Sequence, residues 1–256
     1  MKIAILVSAY KAAQFIEPCL RSIRMQTLRR GLSVDLIMIS DGCKESWSAI
    51  KNDPTQGTKI CLRENVGVYR AFNTGLALIE DDTDLIGFIG ADDVWDHRRL
   101  SEIYDMAQGK VGHHAFACHY KTIDEQGRVI GTVRKHCPTG HFFYSKAVFD
   151  DLGGFQPWQC GADTEFWVRA QRMGTSFHCS TKPLFHYRIH PDQLTQTESL
   201  TNMTPERRRA KAYIDELRKS NDLRLLGRLS TVERGKIKHA SGDFSRERKR
   251  AISRLR

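Results

Sequence analysis

Polar and acidic side chains follow three of the apolar runs in this chain, at the point where each run ends. Ser8 and Tyr10 follow the first run, Asp41 follows the second, and Asp92 and Asp93 follow a later one. Ligands of an open α/β sheet bind outside the carboxyl ends of its strands, so we expect these side chains to share one sheet edge. Adjacent carboxylates repel each other unless a cation compensates. Mg²⁺ and Mn²⁺ prefer such oxygen ligands together with substrate phosphates, so the spacing predicts a metal and diphosphate site. A pair of aspartates that only caps the following helix is the alternative.

The elements that must position these residues alternate between short apolar runs and helical patterns in the first half of the chain. This alternation predicts an α/β fold built from βαβ units, with a mainly parallel central sheet flanked by helices. After Gly109 two β-runs are joined by a turn, which predicts an antiparallel hairpin. The predicted strands are residues 3–7, 34–39, 58–62, 85–89, 114–121, 128–134, 175–179 and 184–189, and the predicted helices include 146–152 and 163–173. No glycine follows the first strand, which argues against a dinucleotide fingerprint or a P-loop.

Composition places the chain among globular proteins. Its 256 residues, 40% of them hydrophobic, can bury a sizeable core. No apolar run reaches the roughly 18 to 20 residues that span a bilayer, and the first run lacks the cleavage site of a signal peptide. The seven scattered cysteines show no CxxC spacing, which argues against a disulfide framework and for a reducing compartment. We therefore expect a cytoplasmic protein, with peripheral attachment to the inner face of the membrane as an option.

The excess of positive charge lies at one end of the chain. Residues 204–256 contain 17 Lys and Arg against 7 Asp and Glu, whereas residues 1–203 contain 23 of each kind. We expect a catalytic domain at 1–200, with halves at about 1–110 and 111–200, followed by a basic helical extension at 201–256. The extension is either a solvated tail, a segment that packs onto the domain or a second subunit, or a binding surface for anionic lipid or DNA.

Seven short motifs, in uninterrupted order over residues 1–195, resemble the inverting family-2 glycosyltransferases. Each motif is weak alone, whereas the series is specific. The motifs occupy residues 7–10, 39–43, 65–75, 90–93, 153–155, 161–169 and 187–190. The resemblance implies a GT-A type nucleotide-diphospho-sugar transferase fold. It also implies transfer of a sugar from a nucleotide-sugar donor, expected to be a UDP-sugar, to an acceptor hydroxyl with the help of Mn²⁺ or Mg²⁺.

The donor site that the resemblance implies uses the strand ends described above. Asp41 would accept a hydrogen bond from the ring N–H of uracil, with Ser8 against the same base. Arg70 would lie near the diphosphate, and Asp93 would bind the metal that bridges the two phosphates. The remaining donor-site residues implied by the motifs are Tyr10 and Asn65 for the nucleotide, Asp92 for the ribose or the metal, Arg188 for the diphosphate, and His190 for the diphosphate and the metal.

The later motifs contain the residues expected on the acceptor side of the site. Asp163, four residues before Trp167, would be the general base that takes the proton of the attacking hydroxyl. The same residue could also cap the helix that follows it, and Glu165 is the second candidate base. Trp158 and Tyr144 are predicted acceptor contacts, because aromatic rings suit stacking against a sugar.

Three positions depart from the commonest pattern of the family. Ser40 stands where an aspartate is frequent, Gly90 where a third carboxylate often lies, and Ala162 where a glutamate often precedes the base. With glycine at position 90, Asp92 and Asp93 are the carboxylates left in this motif. Two carboxylates suffice for a metal held largely by phosphate oxygens.

Three functions are compatible with these observations. The main interpretation is an enzyme that extends a surface polysaccharide or glycolipid, with a carbohydrate or glycolipid acceptor. The second is a glycosyltransferase that acts on modified bases of DNA, with the basic extension on the phosphates. The third is a non-catalytic binding protein on the same scaffold, which the four intact aspartates argue against. An oligomer is compatible with each of them.

Overall fold

The computed structural model describes residues 1–135, 139–193, 204–219 and 231–256. A mixed sheet of ten strands forms its centre, and helices flank it. The strands are β1 Lys2–Ala9, β2 Ser33–Ser40, β3 Thr58–Leu62, β4 Leu85–Gly90, β5 Val94–Trp95, β6 His114–Ile123, β7 Val129–Arg134, β8 Phe143–Ser145, β9 Ser176–Arg188 and β10 Ile237–Ser241. The helices are α1 Ala13–Arg24, α2 Lys44–Asn52, α3 Val68–Leu76, α4 Arg99–Ala107, α5 Lys146–Leu152, α6 Ala162–Arg172, α7 Pro205–Lys219 and α8 Arg246–Leu255, with a 3₁₀ turn at Thr139–His141.

The strand order is β10-β3-β2-β1-β4-β8-β6-β9-β5, with β7 paired to β6. Strands β3, β2, β1 and β4 run parallel, as the alternation of strands and helices predicts. Strand β8 enters antiparallel between β4 and β6, and β7 pairs antiparallel with β6 as the predicted hairpin. The predicted strands 175–179 and 184–189 are one continuous strand, β9, parallel to β6 with two irregularities in register.

The core lies on both faces of the sheet because β1 is apolar on both of its sides. Ile3, Ile5 and Val7 pack on the face that α1 and α4 cover. Leu6 points to the other face, where it joins the cluster beneath α3, α5 and α6. A strand buried on both faces reads as a continuous apolar run, which is the pattern of parallel sheets.

The basic C-terminal extension is attached to this sheet. Strand β10 pairs antiparallel with β3 and is a strand where the sequence predicts only helix. Helix α7 begins directly after Thr204, whose hydroxyl accepts the Arg207 backbone N–H at 3.3 Å. Its apolar residues Ile214 and Leu217 pack against Val168 of α6. The leucines of 223–229 lie outside the described residues. Within the parts of the chain that are described, no helix is both long and apolar enough to cross a bilayer.

A buried arginine fastens α8 to the sheet, and its removal gives a testable stability loss. Arg248 pairs with Asp35 of β2 and donates to the Thr58 hydroxyl at 3.0 Å and the Leu78 carbonyl at 2.9 Å. Replacing Arg248 by Met is expected to lower the free energy of unfolding by about 2 kcal/mol, because charge-assisted bonds are lost at a buried site. Urea denaturation measures this, with Arg250→Met as the exposed control on the same helix. Equal stability of the two variants would contradict this role of Arg248.

Candidate active site

The ends of three adjacent strands bring the predicted donor residues together. Ser8 and Gly90 are partners across β1 and β4, and Ala9 and Ser40 are partners across β1 and β2. The chain that follows β4 also stays paired with β1, since the Ala91 backbone N–H donates to the Ser8 carbonyl at 3.0 Å. Tyr10 is 47% exposed directly after β1, so its ring is open to a ligand.

Asp41 is a buried carboxylate held by the loop that leads into α3. Its oxygens accept the backbone N–H groups of Val66 and Gly67, both at 2.9 Å, and the Asn65 side-chain amide at 3.1 Å. Burial raises the pKa of Asp41, and the two backbone donors oppose that rise. The sequence predicts Asn65 as a nucleotide contact, and the structure places its amide on Asp41.

Gly42 allows this arrangement. Its φ is +68°, and a Cβ there would lie 2.1 Å from the backbone carbon of Glu64. Only glycine leaves room for the two loops to approach this closely.

Asp92 and Asp93 face the space above Gly90. A Cβ on Gly90 would lie 2.4 Å from Oδ1 of Asp92 and 3.7 Å from Oδ2 of Asp93, so the missing side chain leaves room for both carboxylates. Asp93 is buried and accepts the Arg188 backbone N–H at 2.9 Å. Burial, and then the charge of Asp92, raise the pKa of Asp93 well above its ordinary value.

A neutral histidine faces Asp93 from the 3₁₀ turn. His141 Nε2 lies 3.7 Å from Asp93 Oδ2. Burial, and then the Arg99 cation, lower the pKa of His141 to about 3, so the ring carries no charge at neutral pH. No pattern in the sequence pointed to His141, because the turn that carries it has no helical or strand periodicity.

The donor set fits a divalent cation that takes most of its ligands from a diphosphate. His190 Nε2 lies 3.3 Å from Asp92 Oδ2, and the buried Nδ1 of His190 has no hydrogen-bond partner among the described residues. Among the described residues, no group of three or more His, Cys, Asp or Glu side chains is arranged to hold a metal ion by itself, so substrate oxygens must supply most of the ligands. Two carboxylates and an imidazole near one space match a cation bound largely through substrate phosphates.

Arg188 holds three segments together at this edge. Its guanidinium donates to the Asp92 carbonyl at 2.7 Å and to the carbonyls of Asp124 and Glu125 at 2.9 and 2.7 Å. It also lies over the Phe15 ring, and the residue is only 3% exposed. In this arrangement Arg188 ties β9 to the β4 loop and to the hairpin turn, and its contact with a diphosphate stays a prediction.

Arg70 projects from α3 toward the C-terminal extension. Its guanidinium pairs with Glu233 at 2.6 Å, and both side chains are partly exposed. Its contact with the diphosphate also stays a prediction.

Asp163 begins the first turn of α6, beside the 3₁₀ turn. Its Oδ1 accepts the hydroxyl of Tyr69 at 2.8 Å, and a Cβ on Gly140 would lie 3.3 Å from its Oδ2. Burial, and then the Asp163 charge, raise the pKa of Tyr69 well above its ordinary value, so the phenol is protonated and donates. Tyr69 lies in the 65–75 motif, but its type and spacing alone predict no role for it.

Glu165 has a different environment from Asp163. It is fully buried, and both of its oxygens accept from Arg169, at 2.6 and 3.0 Å. Arg169 continues to the carbonyls of Leu152 and Gly154, both at 2.8 Å. The pair fastens α6 to the end of α5, so the base assignment rests on Asp163.

The two predicted acceptor aromatics lie at different depths. Tyr144 is 1% exposed and packs edge-on against Phe166 within the core. Trp158 is half-buried and packs edge-on against Tyr213 of α7, with ring centroids 5.3 Å apart. Trp158 therefore keeps exposed area beside α7, whereas the buried ring of Tyr144 offers no surface to an acceptor and packs in the core instead.

This mixed sheet, with acidic strand ends at one edge, is the architecture of GT-A glycosyltransferases. The Staphylococcus aureus TarS 1-349 structure in complex with UDP superposes with a TM-score of 0.61 at 14% identity, over 88% of this chain and 72% of that one. Mannosyltransferase PcManGT from Pyrobaculum calidifontis, in complex with GDP-Man and Mn²⁺, gives 0.58 at 15% identity, over 98% of this chain and 68% of that one. These likenesses confirm the predicted fold.

The chain belongs to Glycosyl transferase family 2, whose model matches residues 4–147. Among curated relatives, the minor teichoic acid biosynthesis protein GgaA of Bacillus subtilis is 28% identical over 107 residues. That match covers 40% of this chain and 24% of the relative. The uncharacterized glycosyltransferase alr2836 of Nostoc is 24% identical over 225 residues, which is 74% of this chain and 65% of the relative. The family predicted from the motifs is thereby confirmed.

Proposed function

We propose that this chain is a metal-dependent, inverting glycosyltransferase that moves a sugar from a UDP-sugar to an acceptor hydroxyl. The observation that carries the proposal is the pair of contacts made by α3. Its Tyr69 hydroxyl donates to the Asp163 carboxylate, and the loop before α3 donates two backbone N–H groups to Asp41. One helix thus connects the proposed nucleotide contact with the proposed base.

The proposed reaction is a single in-line displacement. Asp163 takes the proton of the acceptor hydroxyl while that oxygen forms a bond to the anomeric carbon. The bond from the anomeric carbon to the phosphate oxygen breaks, and its electron pair leaves with the nucleoside diphosphate. The configuration at the anomeric carbon inverts because attack and departure occur on opposite faces.

Asp92, Asp93 and His190 are the residues that would hold Mn²⁺ or Mg²⁺. Such an ion would offset the negative charge of the diphosphate. Manganese is present in the PcManGT complex, which supports a divalent ion in this fold. The buried carboxylate of Asp93, with its raised pKa, is a group that a cation would stabilise in the charged form.

A uridine nucleotide is the proposed donor because Asp41 is a fixed hydrogen-bond acceptor at the end of β2. Ser8 and the exposed Tyr10 ring lie at the adjacent strand end and would contact the same nucleoside. TarS structures contain UDP and UDP-GlcNAc, which supports this choice. Thymidine and guanosine donors are the alternatives, and a guanosine donor is present in the GDP-Man complex of PcManGT.

The proposed acceptor is a carbohydrate or glycolipid of a surface polysaccharide, at the cytoplasmic face of the membrane. The curated relative GgaA, a teichoic acid biosynthesis protein, supports this class. Trp158 beside α7 is the proposed acceptor contact. Modified bases of DNA are the alternative acceptor, for which the basic residues of 204–256 would supply phosphate contacts.

A turnover assay tests this proposal. The wild-type enzyme with Mn²⁺ is incubated with UDP-glucose, UDP-galactose, UDP-GlcNAc or GDP-mannose, and released nucleotide is measured with and without membrane glycolipids or hydroxymethylated duplex DNA. We expect acceptor-stimulated UDP release with at least one UDP-sugar and the glycolipids. Release of GDP alone would contradict the uridine assignment, and stimulation by the DNA alone would favour the alternative acceptor.

A further inference from the structure

Tyr69 occupies an unusual position between the two halves of the site. It is the second residue of α3, two positions after the N-cap Gly67, whose backbone N–H donates to Asp41. Its hydroxyl lies 2.8 Å from Oδ1 of Asp163, which is 94 residues later in the chain. The phenol therefore bridges from the helix of the nucleotide side to the first turn of the helix that carries the base.

Neighbouring side chains hold the Tyr69 ring in place. Its ring packs against Phe155, with centroids 5.6 Å apart. Asn73, one turn further along α3, accepts the Phe155 backbone N–H and donates to the Phe155 carbonyl, both at 2.8 Å. A side chain fixed by a neighbouring ring and an amide clamp can hold a partner within the narrow geometry that proton transfer requires.

A purely structural explanation of Tyr69 also has support. The backbone N–H of Asp163 lies close enough to the Tyr69 oxygen to lower the pKa of that phenol. Tyr69 therefore lies at the start of α6, where a helix has N–H groups without helical partners. A residue that only capped this helix would affect stability and leave the ratio of turnover to donor binding unchanged. The two roles thus differ in what a variant would change.

We propose that Tyr69 is a positioning residue for the base Asp163, whose hydroxyl holds the carboxylate in the orientation that receives the acceptor proton. The inference rests on the proposed function, because it takes Asp163 as the base. Tyr69 removes no proton itself; it fixes the direction in which Oδ2 of Asp163 points by occupying Oδ1.

The test is the Tyr69→Phe variant, which removes one oxygen and keeps the ring. We expect kcat to fall about 10- to 100-fold, the range of a lost hydrogen bond to a charged group. The dissociation constant of UDP, measured by calorimetry with Mn²⁺, is expected to stay within twofold, as is the KM for the donor. Tyr104→Phe is the matched control, since the Tyr104 hydroxyl on α4 donates to the Arg30 carbonyl in an exposed hydrogen bond.

A double-mutant cycle separates positioning from capping. In an Asp163→Asn background, the additional Tyr69→Phe change is expected to alter the residual turnover less than twofold, because the group it orients is gone. An unchanged kcat in Tyr69→Phe would overturn the inference. The same fold-loss in both backgrounds would also overturn it, in favour of a structural role. Full activity of Asp163→Asn alone would instead overturn the proposed base, and the inference with it.

Discussion

Turnover of the Asp163→Asn variant is expected to fall by about 10²- to 10⁴-fold, which is the usual contribution of a general base. The amide keeps the size of the side chain and can still contact the Tyr69 hydroxyl, but it has no basic oxygen to take the acceptor proton. The dissociation constant of UDP is expected to change less than about twofold, because Asp41 and the strand-end residues are untouched. Released UDP measures the first quantity, and calorimetry measures the second.

Asp150→Asn is the control for this experiment, since Asp150 is an exposed carboxylate that pairs with Lys146 on α5. It should retain full turnover. An Asp163→Asn enzyme as active as the control would remove Asp163 from the mechanism. Loss of UDP binding in parallel with turnover would instead show that the residue supports the fold of the donor site.

The Arg169→Met variant is expected to lose about 3–5 kcal/mol of unfolding free energy, the range measured when one partner of a buried ion pair is removed. Glu165 would then be buried without its cation, and burial already raises the pKa of Glu165. The carbonyls of Leu152 and Gly154 would lose their donors as well. Urea denaturation, followed by far-UV circular dichroism, gives the free energy.

Two companion variants make this prediction specific. Lys146→Met breaks the exposed pair with Asp150 and is expected to cost less than about 1 kcal/mol. The double variant Glu165→Leu/Arg169→Met is expected to regain part of the loss, because an apolar pair leaves no buried charge. A double variant less stable than Arg169→Met alone would contradict this explanation.

Several elements of the catalytic domain follow closely from sequence patterns. The β3 strand and the α5 helix have the predicted bounds, because a short apolar run and a helix ended by Gly153 are local signals. The strand ends that carry Asp41 and Asp92 lie on either side of the end of β1, at one edge of the sheet, because β2, β1 and β4 run parallel. That parallel direction follows from the alternation of strands and helices. The bounds of β3 and α5 depend on near neighbours in the chain, and the parallel direction of the strands depends on the order of the elements.

Other features depend on partners far apart in sequence. Strand β10 forms because the edge of β3 offers it hydrogen bonds, and its basic sequence alone shows no strand pattern. Glu165 and Asp163 are both acidic residues in one turn of α6, and only the packing of Arg169 separates a buried structural carboxylate from a partly accessible one. Tyr69 and Asp163 meet across 94 residues, which periodicity cannot reveal.

The central claim is that the strand ends bind a uridine diphosphate with a divalent ion, and a thermal-shift panel tests it most directly. UDP, GDP, dTDP and CMP are each added to the wild-type protein and to Asp92→Asn, with Mn²⁺ or with EDTA. We predict a rise in Tm of about 5 °C for UDP with Mn²⁺ at saturation, a smaller response to the other nucleotides, and loss of the rise in EDTA and in Asp92→Asn. No rise with any nucleotide, or a rise equal in EDTA and in the variant, would contradict the account.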